Sequence, residues 1–157
     1  MTKPQPASPE PVPPVSFCRR FEAPRDVVFS AWTNPEQMKH WLHPGPEWSN
    51  PVIEVDLRVG GLYRLGFRHL DKPEVVFVVG RFLEIQHGKR LVYTWGWEAP
   101  DPHAGIETIV TVTFDTVDAG TEVNLTHERF PDDAIRLRHS DGWRATCDCL
   151  THYLESL

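Results

Sequence analysis

The chain has 157 residues, enough for one domain that buries about two-thirds of its unfolded surface. Its 40% hydrophobic and 24% charged residues are ordinary for a globular protein, and its net charge of −6 argues against a nucleic-acid partner. Three sparse cysteines, Cys18, Cys147 and Cys149, imply no disulfide framework, and no apolar run approaches the ~20 residues of a membrane helix. With no signal-peptide core at the N-terminus, the expectation is a soluble, cytoplasmic protein without a membrane span.

Residues 1–14 hold six prolines and no aromatic residue, a composition that cannot build a core. They are expected to be a disordered or polyproline-like tail, which leaves 15–157 as the folded domain. Val15-Ser-Phe-Cys-Arg-Arg-Phe21 alternates as a first strand. Pro24 suits the first turn of a helix in which Val28, Ala31 and Trp32 form a buried stripe. Asn34-Pro35-Glu-Gln37 starts a second short helix, with Asn34 as cap, Gln37 where a capping-box partner belongs, and Met38, Trp41 and Leu42 as its apolar face.

Six strands without an intervening helix follow, at about 51–59, 61–70, 74–86, 89–98, 107–117 and 120–129. Their short, turn-like links predict an antiparallel meander. Gly60-Gly61 reads as a two-residue hairpin turn, and Asp56 and Arg58 sit two apart on one face of the strand before it. Beyond the turn, Tyr63, Leu65 and Phe67 share a face opposite Arg64 and Arg68. Leu91, Tyr93, Trp95 and Trp97 share another, as do Val110, Val112 and Phe114, and then Val123, Leu125 and His127. The pattern predicts a sheet with one wet and one aromatic face. Strand 74–86 starts apolar on both sides, and alternation does not orient it. From about Asp132 the period changes to that of a long amphipathic helix, whose stripe runs through His139, Gly142, Trp143, Thr146, Cys147, Leu150 and Tyr153. Gly142 costs such a helix about 1 kcal/mol, and close packing on the sheet beside Trp143 is the expected compensation.

The pattern Asp56-x-Arg58-x-Gly60-Gly61-x-Tyr63-Arg64 resembles the hairpin of activator of heat-shock-protein-90 ATPase homologue-like domains, of the START-like or SRPBCC superfamily. Arg90-Leu-Val-Tyr-Thr-Trp95, Gly120-Thr121, and Gly142-Trp143 followed by Leu150 and Tyr153-Leu154 extend the resemblance over roughly residues 15–157. The chain departs from the family at Cys147 and Cys149, where leucine and a charged residue are commoner. The resemblance implies an α+β helix-grip fold. In it a curved antiparallel sheet of about seven strands closes around an apolar cavity, with two short helices after strand 1 and a long C-terminal helix across the sheet.

Catalytic signatures are absent: there is no Gly-x-Ser-x-Gly elbow, no phosphate-binding glycine loop and no His-Glu-x-x-His motif. On a helix the side chains of Cys147 and Cys149 diverge by about 200°, which argues against a shared metal. No catalytic residue, metal or cofactor is therefore assigned. His127 and His139 carry two readings. They are polar anchors or an acid/base pair, or else His127 is hydrogen-bonded near a cavity mouth and His139 is solvated. Arg58 is a ligand clamp or the partner of Asp56 in a structural ion pair. Tyr63, Phe67, Trp95, Trp97, Phe114 and Trp143 line a cavity or fill a core.

Three functions remain open on these residues. The leading one is binding of a small hydrophobic or aromatic molecule, lipids included, between sheet and helix. The second is an enzyme of the polyketide-cyclase type, with His127, Tyr63 or Arg58 assisting proton transfer. The third is a protein-interaction module, for which a chaperone partner is suggested by the family's name alone. Monomer and homodimer fit equally well.

Overall fold

The computed structural model describes residues 11–157. Most of the expected tail, residues 1–10, lies outside them. Residues 11–14 have no regular structure, yet Val12 is half-buried against the core, so core packing starts before the first strand.

Strand β1 (Val15–Phe21) leads into helices α1 (Arg25–Thr33) and α2 (Pro35–Met38). Pro24 stands just outside α1 as its cap residue, with extended backbone angles. The Asn34 side chain accepts from Glu36 N at 3.0 Å and so caps α2. Gln37 does not close a capping box; its Nε2 donates to Ser30 Oγ at 2.9 Å and ties α2 to α1. Two short strands follow, β2 (Trp48–Ser49) and β3 (Ile53–Val55), then the long ones: β4 (Leu62–His69), β5 (Val75–Gln86), β6 (Arg90–Trp97), β7 (Thr108–Val117) and β8 (Gly120–Glu128). Helix α3 (Asp133–Glu155) ends the fold, and its cap Asp132 accepts from Ile135 N at 2.9 Å.

All strand pairs are antiparallel, in the spatial order β1-β8-β7-β6-β5-β4-β2, with β3 beside β2 on the same edge of β4. The sheet curls into a half-barrel with α3 across its concave side, which is the helix-grip arrangement. The expected strand 51–59 shrinks to Ile53–Val55. Residues 56–61 form a loop, closed where Asp56 N donates to Leu62 O and Gly61 N to Arg58 O. Gly60 alone has a positive φ, at 82°; Gly61 is required for space, because a Cβ there would lie 2.1 Å from the Asp56 carbonyl oxygen. The two-residue turn is thus replaced by a wider one.

β5 starts apolar on both sides because Val76 and Val78 face inward while Phe77 packs on the outer face, and a register shift follows between Phe82 and Glu84. The extra residue, Leu83, flips the alternation, so that Val78 and Phe82 face inward before the bulge and Ile85 packs on the core after it. On the outer face, Phe77 lies 3.6 Å beneath the Arg64 guanidinium.

The concave space is filled unevenly. At the α1–α2 end, Trp32 meets Trp41 at 4.8 Å and Phe114 at 5.7 Å between ring centroids, and Phe29 reaches Phe114 at 5.2 Å. Trp41 and Phe114 are fully buried there. At the other end, beneath the middle of α3, the side chains leave a gap.

Candidate functional site

A cleft of about 380 Å³ opens between α3 and the sheet at that end. Strands β4 and β6 supply Phe67, Trp95 and Trp97, and α3 supplies His139, Trp143 and Thr146. Gly142 leaves the helix wall of this cleft bare. A Cβ on it would meet no atom within 4 Å, so this glycine faces open space at the cleft wall and not the sheet. The expected close packing at Gly142 is therefore not what the fold uses it for. A side wall comes from Leu42 and Pro44 in the loop after α2 and from Trp48 of β2. This loop is held where His43 Nδ1 meets Asn50 Oδ1 at 2.8 Å and Asn50 Nδ2 donates to Gly66 O at 3.1 Å.

The buried polar atoms around the cleft are mostly spent on each other, while the exposed Asp141 carboxylate at its rim has no side-chain partner among the described residues. Trp97 Nε1–H donates to His139 Nε2 at 3.0 Å, and His139 Nδ1–H donates to the Ile135 carbonyl at 2.8 Å. Behind the wall, Trp143 Nε1–H donates to His127 Nδ1 at 3.0 Å. Thr108 Oγ1 gives its proton to the Trp95 carbonyl at 2.9 Å, so it accepts from His127 Nε2–H at 2.6 Å. Each imidazole thus uses one nitrogen as donor and one as acceptor, which fixes its tautomer and requires the neutral form. Burial pushes His139 down to about 4, with Arg138 and His103 adding to that and the Ile135 and Asp101 oxygens opposing it. Burial, then the neighbouring His139, holds His127 well below the usual histidine range.

At the mouth, Arg138 reaches from α3 to the loop after β6. Its guanidinium makes two bonds to Asp101, at 3.0 and 2.8 Å, contacts His103 Nδ1 at 2.6 Å and lies 4.2 Å over the Trp97 ring. Burial raises the Asp101 carboxyl, but Arg138 and the His103 backbone N–H outweigh it and hold the group below the ordinary carboxylate range.

Of the nine positions singled out from the sequence, five line the cleft: Phe67, Trp95, Trp97, His139 and Trp143. His127 is fully buried behind it, not at its mouth, and His139 is buried, not solvated. Phe114 belongs to the solid end of the core. Tyr63 packs against Phe82 and Tyr93, with its hydroxyl donating to the Thr94 carbonyl, away from the cleft. Arg58 lies in the 56–61 loop, where Nε bonds Asp56 Oδ2 at 2.8 Å on the surface. Neither lines this cleft. Sequence reasoning missed Pro44, Trp48, Val76 and Arg138. Pro44 comes from an irregular loop and Trp48 from the two-residue strand β2, neither long enough to show a period, Val76 from the strand with two apolar faces, and Arg138 from the polar flank of the helix.

The family model described as Activator of Hsp90 ATPase homolog 1-like protein matches residues 22–155. The chain belongs to this family. Among solved structures it is similar to a Chromobacterium violaceum protein, with TM-score 0.81 and 27% identity over 90% of this chain and 96% of that one. A Nitrosomonas europaea protein matches with TM-score 0.77 and 25% identity over 92% and 95%. A third, from Silicibacter pomeroyi, has TM-score 0.79 at 21% identity over 90% and 97%, and shares the fold. No curated protein matches the chain. In this member of the Activator of Hsp90 ATPase homolog 1-like family, no helix among the described residues is long and apolar enough to cross a membrane. Nor do three or more His, Cys, Asp or Glu side chains among them gather as a metal site would require.

Proposed function

We propose that the protein binds a small apolar or aromatic molecule in the cleft between α3 and the sheet. The observation that carries this reading is an aromatic cleft of about 380 Å³ whose helix wall is open at a glycine. Clefts of that size with few polar groups are the usual form of small-molecule sites. A second depression, of about 580 Å³ on the outer face of the sheet, is bordered by Arg64 and Arg81, whose charges are met by Glu98 and Glu107. Its charged groups are self-paired, and unlike the cleft it has no wall from α3 to enclose a ligand.

Binding is favoured over the polyketide-cyclase reading by the state of the titratable groups. A general base needs a free lone pair near the operating pH. The acceptor nitrogens of His127 and His139 are both taken by indole N–H groups. Burial pushes the Cys147 thiol up to about 12, and raises both Tyr63 and Tyr93 out of the useful range.

Gly142→Leu tests the reading, because it fills the cleft from a position that contacts nothing. Tryptophan emission should be titrated with an environment-sensitive apolar dye in the wild type and in Gly142→Leu, with circular dichroism as the check on folding. Saturable binding that is lost in a folded Gly142→Leu is the expected result. Equal binding in both, or none in the wild type, would sink the ligand reading. Native mass spectrometry of freshly purified protein should show an adduct in the wild type and not in the variant.

A further inference from the structure

Of the buried tryptophan donors beside the cleft, that of Trp95 is left over by the network. Trp97 and Trp143 spend their Nε1–H groups on His139 and His127. Trp95 Nε1–H has no acceptor among the described residues, although only 7% of the residue is exposed. A buried donor without a partner is destabilising, and most buried donors are satisfied. The backbone carbonyl of the same residue is already engaged by Thr108 Oγ1, which holds Trp95 in place.

We infer that Trp95 Nε1–H is the recognition donor of the cleft, and that the ligand is an apolar or aromatic molecule carrying a neutral hydrogen-bond acceptor. The acceptor class is a ketone, quinone, ester or ether oxygen. A molecule whose only polar group is a donor finds no free acceptor on His139, because Trp97 occupies it. A carboxylate at this position would bring its charge against aromatic rings with a single N–H for company, which is unfavourable. Trp143 and Trp97 pack around Trp95, with ring centroids 5.4 and 6.2 Å from its own, and such aromatic walls favour a flat partner. The inference rests on the cleft being a ligand site, and it adds what that ligand must present.

The test compares two probes of similar shape, 2-acetylnaphthalene and 2-ethylnaphthalene, on the wild type and on Trp95→Phe. The quantity read is the ketone-to-hydrocarbon affinity ratio in each protein, which cancels the different hydrophobicities of the probes. That ratio should be about tenfold higher in the wild type, the size expected for one hydrogen bond to an otherwise unsatisfied donor. In wild-type NMR spectra the Trp95 indole N–H resonance should move downfield with the ketone and not with the hydrocarbon, a readout that needs no folded variant. If both probes bind with equal ratios and the resonance ignores the ketone, the donor assignment fails while the cleft remains a ligand site. If neither probe binds the wild type, the ligand reading falls and takes this inference with it.

Discussion

Protonating His139 would set a second N–H against Trp97 Nε1–H, and protonating His127 would do the same to Trp143. Both imidazoles therefore take up fewer protons folded than unfolded. Their contribution to stability is fully present above the ordinary histidine value of 6.5 and is lost as pH falls toward the folded values. Each group should cost about 1.4 kcal/mol per pH unit in that window, and His139 alone about 3 kcal/mol by pH 4. Urea midpoints measured from pH 7.5 to 5, above the carboxylate range, should fall steadily. In His139→Gln, whose amide can still accept from Trp97, the slope should be about halved. A flat profile in the wild type would mean that the two histidines are not held neutral. Trp143 carries a second expectation. It packs 5.4 Å from Trp95 and 6.3 Å from Trp32, so Trp143→Ala should cost about 3–5 kcal/mol in urea unfolding and widen the cleft. Dye binding should persist with altered selectivity, and a loss below 1 kcal/mol would show a loosely held ring. The inward placement of Trp95, Trp97, His127, His139 and Trp143 was legible, because strand alternation and helical period dictate it. Their pairing was not. The Trp97–His139 and Trp143–His127 bonds join residues 42 and 16 positions apart, and meeting across elements is set by the curl of the sheet.

The 56–61 loop shows how an element can be recognised and its geometry still misjudged. Glycine at 60 and 61 marks a reversal in the sequence, but the tie is longer-range: Gly60 N donates to Phe82 O and Phe82 N to Gly61 O, stitching the loop onto β5. Each glycine then has its own reason. Gly60→Ala meets no atom and should cost about 1 kcal/mol through its positive φ alone. Gly61→Ala must displace the Asp56 carbonyl and should cost about 3 kcal/mol. Thermal unfolding of the two variants checks the order, and equal losses would mean that the loop relaxes freely. The same limit explains the strands. Patterning gave β6, β7 and β8 nearly in full, whereas the bulge in β5 and the shortening of β3 depend on hydrogen bonds to neighbours.

At the scale of the whole molecule, the order of elements specified the architecture, since consecutive strands with short links and one final helix leave few ways to bury an aromatic face. The cleft could not be read in the same way. An unfilled volume is the difference between what the sheet encloses and what the side chains occupy, and the bare helix wall at Gly142 is only one part of that difference. One consequence of the topology concerns time. Strands β4 to β8 pair with their sequence neighbours, but β1 pairs only with β8, Val15 opposite His127, so the first strand waits for the last. Closing so large a loop is entropically slow and comes late, after the local hairpins have formed. A destabilising change at the β1–β8 seam, such as Phe21→Ala, should therefore speed unfolding and hardly touch refolding, whereas Val112→Ala in the β7–β8 hairpin should slow refolding. On a chain leaving the ribosome, the concave wall is assembled well before the strand that seals its edge, although that strand is made first.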